Sequence, residues 1–173
     1  MKERDSVVTM HGEGLTLLGS EVKVGDKVED IALVGKDLSE VRLSSFQGKV
    51  CVISVVPSLD TPVCDAMTRR FNEEAAKLGA EVVILTVSMD LPFAQARWCG
   101  AAGIDNVVTL SDHRDAAFGE AFGVLIKGVR LLARAVFVVD TDGVLQYQQI
   151  VPELTEEPDY GEVLSAVKMQ LTK

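Results

Sequence analysis

The stretch Val50–Cys64, VCVISVVPSLDTPVC, decides the fold and proposes the site. Its first half, Val50–Val56, is a β-branched run with the character of a central strand buried on both faces. Pro57 stops it. Thr61 before Pro62 then reads as a helix cap followed by proline at the first helical position. Val63, Met67, Phe71, Ala75 and Leu78 fall on one face of that helix, and Gly79 closes it.

Working outward, Val82–Val87 reads as the next strand and Pro92 opens a second helix through Cys99. Val107–Leu110 is a further strand, followed by a helix around Ala116–Phe122. Leu131–Val139 and Val144–Ile150 flank Asp140-Thr141-Asp142-Gly143, which is a hairpin signal. A last helix starts near Asp159. Upstream, Thr9–Leu17 alternates around Gly12 and Gly14 as an N-terminal β-hairpin, and Val41–Leu43 is a short strand. Strands alternating with helices, then a hairpin and a closing helix, imply an α/β fold with a mixed central sheet and helices on both faces. The pattern is compatible with a thioredoxin-like fold without selecting it.

The 173 residues carry no repeat, linker or low-complexity tract, so one domain spanning 1–173 is expected. A net charge of −9 argues against nucleic acid or anionic membrane as partner, since both call for a basic face. No apolar run approaches a bilayer span, and the N-terminus lacks the apolar stretch of a secretory signal. A cytoplasmic protein is expected. Cys51, Cys64 and Cys99 are too few for a disulfide scaffold, and no pair has CxxC spacing. His11 and His113 lie far apart in sequence, so no metal site is expected.

Cys64 lies in the first turn of its helix, where free backbone N–H groups and the positive end of the helix dipole favour a thiolate. Position alone leaves a reactive thiolate and an inert buried thiol both open. Arg134 is the one charge in the apolar run Leu131–Val139. A buried guanidinium calls for an anion, either a carboxylate or the Cys64 thiolate. Cys51, inside the central strand, reads as structural. Cys99, late in the second helix, reads on its own as a core cysteine. Asp65 and its acidic neighbours read as solvated end charges that suit the helix dipole.

Pro57, Thr61 and Cys64 stand in the pattern P-x-x-x-T-x-x-C, which resembles the active-site signature of the peroxiredoxins. LPFAQARWC (Leu91–Cys99), SDHR (Ser111–Arg114) and LLARAVFVVD (Leu131–Asp140) follow in an order similar to the thiol peroxidase branch, the atypical two-cysteine peroxiredoxins. The resemblance covers nearly the whole chain. It implies a thioredoxin-like fold and a peroxidase that needs no cofactor. It implies that Cys64 attacks a hydroperoxide, that Thr61 orients the peroxide oxygens, that Pro57 shields the site and that Arg134 is the active-site arginine. It further implies that Cys99 resolves the oxidised Cys64 through an intramolecular disulfide, that a thioredoxin-like dithiol is the reductant, and that the protein is a homodimer. Two rival readings are a thiol–disulfide oxidoreductase and a non-catalytic redox sensor on the same fold. The first is disfavoured by the 34 residues between Cys64 and Cys99.

Cys64→Ser is expected to abolish thiol-dependent peroxide consumption, whereas Cys51→Ser leaves it nearly intact. Steady-state peroxide removal by the two folded variants checks this, and equal loss in both would contradict the assignment.

Overall fold

Every residue of Val50–Val55 is buried, as a strand in the middle of a covered sheet must be. The computed structural model describes residues 1–172. In chain order its elements are β1 (Glu3–Met10), β2 (Glu13–Leu18), β3 (Ala32–Val34), β4 (Glu40–Arg42), β5 (Val50–Val55), α1 (Pro62–Leu78), β6 (Val82–Ser88), α2 (Pro92–Ala102) and β7 (Val108–Ser111). These are followed by α3 (Ala117–Ala121), β8 (Leu125–Ile126), β9 (Ala135–Val139), β10 (Leu145–Ile150) and α4 (Tyr160–Leu171). A 7-stranded sheet runs β10-β9-β5-β6-β7-β3-β4, and a 3-stranded sheet runs β1-β2-β8. β5, β6 and β7 are parallel neighbours joined by α1 and α2, while β9 pairs with β5 antiparallel. The expected mixed α/β architecture holds.

The alternation of β5 sorts the core into two layers. Val50 and Val52 face a cluster with Met67 and Phe71 of α1 and Val163 and Val167 of α4, against which Trp98 of α2 packs. Cys51, Ile53 and Val55 face the opposite cluster, built with Phe118 and Phe122 around α3 and with Val8 and Leu17 of the N-terminal hairpin. The hairpin therefore covers a sheet face that short α3 alone cannot. It turns at His11 and Gly12, both with positive φ (51° and 83°), the two-residue geometry suited to twisted strands.

Two departures from the sequence reading bear on the site. The apolar run Leu131–Val139 does not form one strand: β9 begins only at Ala135. Leu132 bridges to Leu125, and Ala133 N–H donates to the Val124 carbonyl at 2.8 Å. The run thus changes partner from the small sheet to the large one, and Arg134 sits at the change. β3 and β8 went unread because strands of three and two residues carry too little alternation to register.

Candidate active site

α1 begins as the sequence implies, with Pro62 at its first position and an extended Thr61 before it (φ −102°, ψ 146°). The Thr61 hydroxyl, however, does not cap the helix. It donates to the Ser58 carbonyl at 2.9 Å, closing the loop that leads from buried Pro57. Thr61 is therefore a loop-tightening residue at the helix mouth, which leaves first-turn N–H groups unoccupied by its side chain. The same loop is anchored by Asp90, whose carboxylate accepts from Ser58 Oγ at 2.7 Å, Leu59 N–H at 2.8 Å and Ser88 Oγ at 2.8 Å. Sequence reasoning missed Asp90; its only signal is an acidic residue two positions before Pro92, a common turn pattern.

Cys64 is fully buried at the start of α1, and Arg134 Nη1 donates to its sulfur at 3.2 Å. Arg134 is only 2% exposed. Its Nε and Nη2 both donate to the Leu154 carbonyl, at 3.2 and 2.9 Å, and Nη1 also lies 3.7 Å from Met67 Sδ. Among the described residues no carboxylate pairs with it. Of the two partners left open by the sequence, the structure places Cys64 and not a carboxylate against Arg134: the rigid fork turns one edge to a carbonyl and the other to the thiol.

The N-terminal hairpin holds this fork in place. Val151 N–H donates to the Arg134 carbonyl at 2.9 Å, Leu154 N–H to the Thr9 carbonyl at 2.8 Å, and Thr9 N–H to the Pro152 carbonyl at 2.7 Å. The Glu153 carboxylate accepts from the Thr155 hydroxyl and N–H and from Gly12 N–H at the hairpin turn, and these bonds pull its pKa down to about 2. A segment far away in sequence thus sets where Leu154 presents its carbonyl to Arg134.

The other two thiols differ in kind. Cys99 is half-buried on α2; burial pushes its thiol up, and a hydrogen bond with Thr109 of β7 pulls it partly back. Cys51 lies on the opposite face of the sheet with its thiol 3.8 Å from the carbonyls of Phe46 and Lys49, and burial pushes it up to about 11. Cys51 is thus a protonated thiol at neutral pH, in keeping with a structural part. Among the described residues all three cysteines are unpaired.

The Redoxin family profile matches residues 23–164. The thiol peroxidase of Bacillus subtilis is 58% identical over 161 residues, covering 93% of this chain and 96% of that protein. The chain belongs to the redoxin family, in its thiol peroxidase branch. The thiol peroxidase of Halalkalibacterium halodurans is 55% identical to this redoxin over 95% of the chain and 98% of its own length. Among solved structures, a peroxiredoxin-like protein from Aquifex aeolicus superimposes with a TM-score of 0.89 at 44% identity, covering 98% of this chain and 99% of that one. The fold persists at 20% identity in a thiol peroxidase from Chromobacterium violaceum, with a TM-score of 0.85.

Arg134→Ala is expected to slow oxidation of Cys64 by hydroperoxide by roughly 30- to 1000-fold, equivalent to about 2–4 kcal/mol and the scale of one lost charge-stabilising donor. Single-turnover oxidation followed by acid quench and mass measurement reads it. A wild-type rate would make Arg134 a purely structural cation.

Proposed function

We propose that this thiol peroxidase reduces hydrogen peroxide and organic hydroperoxides through Cys64. The observation that carries the reading is the Arg134 guanidinium, buried with no carboxylate partner among the described residues and 3.2 Å from the Cys64 sulfur. The Cys64 thiolate attacks the terminal peroxide oxygen; the O–O bond breaks, the sulfur becomes a sulfenic acid, and the leaving oxygen takes a proton to depart as water or an alcohol. Arg134 and the first-turn N–H groups of α1 stabilise charge that develops on the peroxide oxygens. Thr61 orients those oxygens at the helix mouth, and buried Pro57 shields the site. The Cys99 thiol then condenses with the sulfenic acid, expelling water and forming a Cys64–Cys99 disulfide within one chain. A thioredoxin-like dithiol reduces that bridge, taking up the oxidation and returning both thiols.

We propose cytoplasmic residence, a reading supported by a sequence with three cysteines and no disulfide scaffold. Among the described residues no helix is long and apolar enough to cross a membrane. Leu91 (53% exposed) and Phe93 (67% exposed) stand at the start of α2, beside the loop anchored by Asp90. We assign this apolar pair to a homodimer contact near the active site. A dimer mass by light scattering at micromolar concentration, lost in Leu91→Glu/Phe93→Glu, checks the contact; a monomeric wild type refutes it.

The decisive experiment compares wild type, Cys64→Ser and Cys99→Ser with several hydroperoxides, each with a thioredoxin system. Turnover should vanish in the first variant. In the second, a single oxidation of Cys64 should survive while recycling fails, and peptide mapping of oxidised wild type should show Cys64 joined to Cys99. Full recycling in Cys99→Ser would remove Cys99 from the mechanism.

A further inference from the structure

Asp65 follows Cys64 directly, and its carboxylate does more than face solvent. Oδ1 accepts the indole N–H of Trp98 at 3.1 Å, and Oδ2 accepts Arg69 Nε at 2.9 Å. The Arg69 guanidinium stands 5.7 Å above the Trp98 ring and donates to the Ala102 carbonyl at 3.4 Å. Asp65 and Arg69 belong to α1; Trp98 and Ala102 belong to α2 and bracket Cys99. One carboxylate and one guanidinium therefore clamp the helix start that carries Cys64 to the helix end that carries Cys99.

In this closed arrangement the two thiols have different partners. Cys64 meets Arg134, and Cys99 meets Thr109 of β7. A disulfide brings the two sulfurs to about 2 Å, so each thiol has to leave its present partner before the bond closes, Cys99 by moving with α2. The clamp opposes that movement.

We propose that the Asp65–Trp98–Arg69 clamp sets the rate of disulfide closure and thereby the fate of the Cys64 sulfenic acid, a proposal that rests on the Cys64–Cys99 mechanism above. Two reactions compete for that intermediate. Condensation with the Cys99 thiol expels water and gives the disulfide. Attack on a second hydroperoxide transfers its terminal oxygen to the Cys64 sulfur, giving a sulfinic acid and releasing water or an alcohol. Only the first waits on release of α2; the second needs only more peroxide while α2 stays closed. A tight clamp therefore makes the enzyme more easily over-oxidised. Trp98 and Asp65 are positioning residues: they act on the resolution step through the helix that bears Cys99.

Trp98→Phe retains an aromatic ring beneath Arg69 and deletes the indole N–H; Asp65→Asn weakens the same bond from the other side. Both are mixed with increasing hydrogen peroxide in the absence of reductant, quenched in acid, and read by mass for sulfenic acid, disulfide and sulfinic acid. Trp98→Phe should close the disulfide about fivefold faster, the effect of roughly 1 kcal/mol. The peroxide concentration that gives half sulfinic acid should rise by the same factor, with the first oxidation of Cys64 unchanged. Asp65→Asn should shift the product ratio in the same direction. A merely structural Trp98 would lower the melting temperature without moving the ratio of disulfide to sulfinic acid. An unchanged ratio, or slower closure, in folded variants overturns the clamp. Absence of the Cys64–Cys99 disulfide from the wild-type spectra would instead overturn the underlying mechanism.

Discussion

A guanidinium removed from water beside a cysteine sulfur is the constraint around which the rest of the molecule is arranged. Burying the charge of Arg134 is costly unless hydrogen bonds and an anion compensate for lost hydration. The Leu154 carbonyl satisfies two of its N–H groups, and the Cys64 sulfur receives a third at 3.2 Å. A carbonyl supplies hydrogen bonding but no net charge. Among the described residues the group that meets the remaining edge of the cation is the Cys64 thiol, and no carboxylate does.

The three cysteines show how much the neighbour matters. Cys51 and Cys64 are both buried in the core, on opposite faces of one sheet. Cys51 meets only carbonyls, and burial holds its thiol at about 11. Cys64 has a cation in contact and the start of a helix beneath it. Cys99 lies between these cases, half-buried with a hydroxyl partner. Three identical side chains thus meet three different environments, set by where the backbone places charge and solvent.

The N-terminal hairpin, which lies outside the alternating β/α core, belongs to this arrangement too. It covers the face of the sheet opposite α1 and α4, and through Thr9 and Gly12 it holds the 152–155 loop whose carbonyl meets Arg134. The same hairpin therefore completes a core layer through Val8 and Leu17 and fixes the loop beside Arg134 through Thr9 and Gly12. Asp90 plays the matching part on the other side, fixing the Ser58–Leu59 backbone ahead of Thr61.

The sequence by itself determined the central strand, the proline-initiated α1 and α2, the closing helix that starts near Asp159, and the positions of Pro57, Thr61, Cys64, Cys99 and Arg134 as candidates. The elements, Cys64 and Arg134 are legible locally, from β-branched runs, prolines at first helical positions, a thiol in a first turn and one charge in an apolar run. Pro57, Thr61 and Cys99 became candidates through the resemblance to the peroxiredoxins. The tertiary structure alone decided what those candidates touch. The Thr61 hydroxyl chose a loop carbonyl over the helix N–H groups because the turn from Ser58 brings that carbonyl closer. Leu131–Val139 broke at Arg134 because its first half pairs with the β8 segment, which a periodicity argument cannot foresee. Asp65, read as a solvated charge, became half of a clamp because α2 lays Trp98 across it. The last of these joins residues far apart in sequence and the other two depend on how a turn folds back, neither of which pattern along the chain encodes.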